Sequence, residues 1–168
     1  MHRRRRALRL TTALAAAAAA VLMMADAAAA QSRLEGVWGV TIQRRDCQTT
    51  APLGPPVRAL VTVHQGNTVT ETNGALAFSP GQRSIGHGTW NQTGGATFTD
   101  STVTMILFDT AANTPPGSPG FQAGWEVTSH TITLSGDSFT ATGTAQFYNV
   151  NREVYRAACV SRAGERVK

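Results

Sequence analysis

Three histidines past residue 31, His64, His87 and His130, carry the side chains that most readily act as bases or metal ligands near neutral pH. His87 sits in RSIGHGTWNQTGG, Arg83 to Gly95, between two glycines and three residues ahead of Trp90. Strand alternation puts Ser84, Gly86, Gly88 and Trp90 on one face and Ile85, His87, Thr89 and Asn91 on the other. The glycines therefore make room for a bent strand or a neighbouring side chain rather than for His87, and catalysis by His87 depends on whether it points inward. The three histidines lie on three different runs with no short-range ligand pair, so no metal site is expected. His64 borders a turn and reads as a surface residue.

His130 shares a strand face with Glu126, Ile132 and Leu134. A carboxylate and an imidazole four residues apart on one face can serve as acid and base if they face a bound molecule, which is enough for an isomerase or cyclase acting on a lipid-like substrate. The same spacing also suits a hydrogen-bonded polar pair with no catalytic role. No serine occupies a Gly-x-Ser-x-Gly elbow and no glycine-rich phosphate loop leads into a helix, so hydrolase and nucleotide readings are weak and no cofactor is expected.

The first thirty residues read as a signal peptide: HRRRRALR is a basic start, LTTALAAAAAAVLMM an apolar middle, and Ala28 and Ala30 form a small-residue cleavage pattern. The mature domain is then expected to span 31–168, secreted or periplasmic in a bacterium, with no lipid anchor and no transmembrane span. Arg3, Arg4, Arg5, Arg6, Arg9 and Asp26 leave with the leader, which reduces the basic excess to ten basic against nine acidic groups. No basic stripe remains, and nucleic acid is not an expected partner. The two cysteines, Cys47 and Cys159, are expected to pair in an oxidising compartment.

Past residue 31 the chain has almost no helical periodicity, while threonine, valine and glycine are abundant and turn residues recur at short intervals. This is an all-β pattern. GVWGVTIQ places Trp38, Val40 and Ile42 on one face; VRALVTVH and TVTET form a hairpin about Gln65-Gly66-Asn67. ATFTDSTVTMILFD changes phase between Phe98 and Met105, which suggests a bulge or two shorter pieces. Asn113–Gly120 is a proline-rich loop, GWEVTSHTITL and SFTATGTAQFYN form a second hairpin, and EVYRAACVSR ends the series. Eight strands joined by hairpins favour a single antiparallel up-and-down barrel, with a two-sheet β-sandwich as the alternative.

If the first and last strands close the barrel and Cys47 and Cys159 face each other, Val40 pairs with Arg166, and Trp38 lies diagonally from that arginine. A guanidinium over the indole would plug one end of the barrel. Gly36-Val37-Trp38 resembles the glycine-x-tryptophan that opens the first strand of lipocalins and wider calycins. The resemblance implies an eight-stranded barrel whose tryptophan packs at the closed end beneath a C-terminal arginine, for which Arg166 is the nearest match and Arg162 the rival. The family's acidic and basic hairpin-loop signature and its C-terminal helix have no clear counterpart here. More loosely, the domain resembles exported bacterial lipocalin-like proteins of unsettled function.

Val61, Phe108, Trp125, Phe139 and Phe147 are the residues expected to line the interior, with Ala141, Gly143 and Ala145 leaving space between the last two. A filled core uses such space equally well. The leading functional expectation is a monomeric barrel that binds a small hydrophobic ligand without catalysis. The alternatives are an envelope interaction protein, such as a calycin-type inhibitor of a secreted protease, and the isomerase or cyclase built on Glu126 and His130.

Overall fold

The computed structural model describes residues 33–74, 82–108 and 121–168, with the backbone alone at Phe108, Phe121 and Gln122. The expected leader and the loop Asn113–Gly120 lie outside the described residues, as does the Phe108 side chain. The sequence folds as eight strands: β1 (Gly36–Arg45), β2 (Val57–Val63), β3 (Thr68–Asn73), β4 (Gly86–Gly94), β5 (Thr97–Phe108), β6 (Phe121–Ser135), β7 (Ser138–Tyr148) and β8 (Val154–Arg166). Each pairs antiparallel with its sequence neighbours, and β1 also pairs with β8, so the sheet closes into an up-and-down barrel rather than a sandwich. Closure satisfies every strand edge internally.

The closing seam differs from the expected one by two residues. Trp38 pairs directly with Arg166, and Arg45 with Cys159. Strand β1 ends at Arg45, so Cys47 belongs to the turn beyond it and reaches across to β8 from outside the ladder, with 5.0 Å between the two Cα atoms of the Cys47–Cys159 disulfide. A disulfide is therefore a poor register marker when one cysteine lies past its strand. At the other end of the seam the Arg166 guanidinium stands 4.3 Å over the Trp38 ring and is fixed from below by the Glu35 carbonyl at 2.7 Å and Asp137 at 3.1 Å. A cation over an indole face contributes about 0.5–2 kcal/mol, and here it closes the barrel end.

Above that plug the interior is apolar. Trp38 meets Phe139 edge-on at 5.2 Å, Trp90 meets Phe98 at 6.0 Å, and Val40 and Val69 fill the space between strands. Each such side chain gains roughly 1.5–3 kcal/mol from leaving water, so this layer is the hydrophobic core proper. Gly88 and Gly143 sit where the backbone of a neighbouring strand approaches closely. A Cβ on Gly88 would collide with the Ser101 carbonyl oxygen, and one on Gly143 with that of Ser129, so these positions accept no side chain. Part of the room expected between Phe139 and Phe147 is thus occupied by the backbone of β6.

The phase change expected in β5 does not occur. Phe98, Asp100, Thr102, Thr104 and Ile106 alternate inward without a break, and register shifts instead at Gln92/Gly94 against β5 and at Ile106/Leu107 against β6. The appearance of a slip comes from polar residues occupying inward positions in the middle of the strand. In β6 the same inversion places Glu126, Thr128 and His130 inside and Trp125 outside, where it stacks on Tyr148 at 5.6 Å.

Candidate functional site

The middle of the barrel carries a chain of polar side chains that β3, β5, β6 and β8 supply at positions continuing their apolar inward rows. Glu71 follows Val69 by two residues, Asp100 follows Phe98, and Arg162 follows Val160. His130 lies deepest: its Nδ1 is 2.7 Å from Asp100, and its side chain is fully buried. The other Asp100 oxygen is 3.7 Å from the Arg162 guanidinium, which donates to Glu71 at 2.6 Å. Glu71 accepts from the Asn73 amide at 3.1 Å, the Asn73 oxygen accepts from Arg83 at 2.9 Å, and Arg83 donates to Glu126.

This sequence of contacts runs from the buried histidine toward the end of the barrel opposite the Trp38–Arg166 plug. Charges of both signs alternate along it, which is how a low-dielectric interior tolerates them. Beside it the Thr102 and Thr128 hydroxyls satisfy each other at 2.6 Å. Burial pushes the Glu126 carboxyl above its ordinary pKa; Arg83 opposes that rise, and the nearby Glu71 adds to it. The Arg44 guanidinium is shifted the other way, lowered first by partial burial and then by Arg156, while Glu126 pulls it back.

The chain ends in a recess of about 30 Å³, enough for roughly two waters. Ile42, Val57, Ala145, Phe147 and Val160 supply its apolar lining, and Arg44, Glu71, Asn73, Arg83, Glu126, Thr128 and Arg162 its polar lining. Among the described residues Arg44 has no ion-pair partner, although it faces this space. The arrangement is amphipathic: apolar and charged side chains share one lining, and the Arg44 cation lies beside Ile42 and Val160.

The residues singled out from the sequence are distributed unevenly over this geometry. Phe147 lines the recess, whereas Val61 and Phe139 are buried core residues away from it. Trp125, expected inside, is on the outer wall, because the interior of β6 is taken by Glu126 and its neighbours two apart. Glu126 and His130 both point inward, but Arg83 holds one and Asp100 the other, and His130 does not reach the recess. His87 is exposed on the outer face, and His64 is exposed beside its turn, 3.2 Å from the Thr70 hydroxyl. Arg162 belongs to the internal chain rather than to the Trp38 plug.

Sequence reasoning missed Glu71, Asn73, Arg83, Asp100 and Arg44. The available signal was a charged residue in phase with buried neighbours, as in Val69-x-Glu71 and Phe98-x-Asp100. No group of three or more potential metal ligands occurs among the described residues.

Fold and site together define an eight-stranded antiparallel barrel, plugged at one end and carrying a charged, partly apolar recess at the other. The chain matches no protein-family model, no curated protein and no solved structure. The reading of its function therefore stands on the geometry above.

Proposed function

We propose that the protein is an exported, lipocalin-like barrel that binds a small amphiphilic acid at its open end without catalysing a reaction on it. The Arg166–Trp38 plug supports the lipocalin-like reading, and the disulfide suits an oxidising extracytoplasmic compartment. The observation that carries the ligand class is Arg44: a half-buried guanidinium lining the recess beside Ile42 and Val160, without an ion-pair partner among the described residues. An acid group would pair with that cation while a short apolar portion lies against the neighbouring Ile42, Val57 and Val160. The purely hydrophobic ligand expected from the sequence suits this recess less well, since it would leave the Arg44 guanidinium without a counter-ion in a small space.

Titration calorimetry with a matched short pair, propanoate and propanol, tests the proposal. The acid is expected to bind and the alcohol to bind more weakly by about tenfold or more, the worth of one charge-assisted contact. Arg44→Gln should remove the difference. Equal binding of both, or of neither, refutes the acid-binding role.

A further inference from the structure

The outer wall near the open end carries a feature that neither the recess nor the core explains. Met105 pairs with Trp125, Trp125 with Tyr148, and Tyr148 with Val154, which sets four apolar side chains side by side across β5, β6, β7 and β8. Ile85 extends the row toward β4, because Ser84 donates its backbone N–H to the Met105 carbonyl at 3.0 Å. Ile85 is 52% exposed, Met105 40% and Val154 47%, while Trp125 and Tyr148 between them are half-buried, so the row is partly open to water. A contiguous apolar row on an outer wall is not required by the barrel, whose lower outer wall carries Thr131, Thr133, Thr140 and Thr142 instead.

The same end of the barrel carries arginines. Arg44 and Arg156 lie at the rim, Arg152 is exposed in the turn between β7 and β8, and none of the three is ion-paired among the described residues. Arg156 rests 5.6 Å over the Phe147 ring, and Glu153, the nearest acid in sequence, is engaged by the Asn149 amide. Tryptophan and tyrosine rings with an apolar body and a polar tip, next to unpaired guanidinium groups, are what a lipid–water interface with anionic headgroups selects.

We infer that this end of the barrel docks peripherally on an anionic phospholipid surface, with Trp125 and Tyr148 at the interface and Arg152 and Arg156 against the phosphates. A second copy of the chain is a poorer occupant, because a two-fold contact through this end would set the arginines of one copy against those of the other. Among the described residues no helix is long and apolar enough to cross a membrane, and the docking needs none. The inference is independent of the ligand that the recess accepts.

The protein itself supplies the probe. Trp38 and Trp90 are fully buried, so a change in intrinsic fluorescence on adding vesicles reports Trp125. The protein should co-sediment with vesicles of phosphatidylcholine mixed with phosphatidylglycerol, its emission should move to shorter wavelength, and salt should weaken both effects. Vesicles of phosphatidylcholine alone should bind far less. Arg152→Gln and Arg156→Gln should each weaken anionic binding by about fivefold, the effect of one charge at such a surface. Trp125→Ser, checked for an unchanged circular dichroism spectrum, should lose most of the binding. Three results would overturn the inference: no preference for anionic vesicles, a Trp125→Ser variant that binds as well as the parent, or a lipid-free fluorescence shift that follows protein concentration together with a doubled mass, which would assign the face to a second copy.

Discussion

Glu126 is the residue whose ionisation most directly links the interior to solution conditions. Its carboxyl is raised above the ordinary range because burial penalises the anion more than Arg83 stabilises it. A raised folded-state pKa means that Glu126 contributes most stability below its unfolded-state pKa, and that this contribution is lost as pH rises through the folded value. Glu126→Gln keeps the shape without the titration, and every other carboxyl titrates in both proteins. The stability of the parent minus that of Glu126→Gln should therefore fall as pH rises above the ordinary glutamate pKa, measured by urea unfolding at each pH. A difference that stays level or grows with pH would show that Arg83 overcompensates the burial. The remainder of the internal chain follows the same logic: Arg162 serves two carboxylates from one buried guanidinium, so each member depends on its neighbours for solvation.

At the scale of the element, the strands show why some of the molecule was legible in its sequence and some was not. The rows Trp38-Val40-Ile42 and Val57-Ala59-Val61-Val63, and the alternation of β7, reveal their faces because the inward residues are apolar and the outward ones polar. The Gln65-Gly66-Asn67 turn and the eight-strand count follow from the same alternation with turn residues between. Strands β5 and β6 defeat that rule over Asp100–Thr104 and Trp125–His130, where the interior is polar and Val103, Met105 and Trp125 face outward. Hydrophobicity alone then assigns the wrong face, and only continuity with Phe98, Ile132 and Leu134 gives the right one. The glycines are the second lesson. Strand propensity says that a valine should improve β7 at Gly143, but the β6 backbone already occupies the place of its Cβ. Gly143→Val should destabilise by about 1–3 kcal/mol in denaturant unfolding, whereas Thr142→Val, one residue away on the outer face, should change stability by less than about 0.5 kcal/mol. Equal and small effects would mean that the β6 backbone yields at this point more readily than its close approach indicates.

For the molecule as a whole, the two ends of the barrel rely on different physics. The plugged end holds most of the large apolar side chains, Trp38, Trp90, Phe98 and Phe139, together with the Arg166 cap. The upper interior contributes less burial of apolar surface, since its positions go to ions whose mutual attraction roughly offsets their lost hydration. The Cys47–Cys159 bridge supplies a constraint at that weaker end: it ties the turn after β1 to the middle of β8, across a separation of 112 residues. On the chain-entropy account, a loop of that length stabilises by about 4–5 kcal/mol, chiefly by restricting the unfolded chain. Replacing both cysteines with serine should therefore lower the unfolding free energy by about 2–5 kcal/mol, because strain and residual unfolded structure reduce the ideal figure. Hydrogen exchange gives the spatial half of the prediction. Amides of β1 near Arg44 and of β8 near Val160 should lose protection first in the serine variant, while those flanking Trp38 and Phe139 keep theirs until global unfolding. Uniform loss of protection around the barrel would instead mean that the charged upper interior and the apolar lower one unfold as a single cooperative unit.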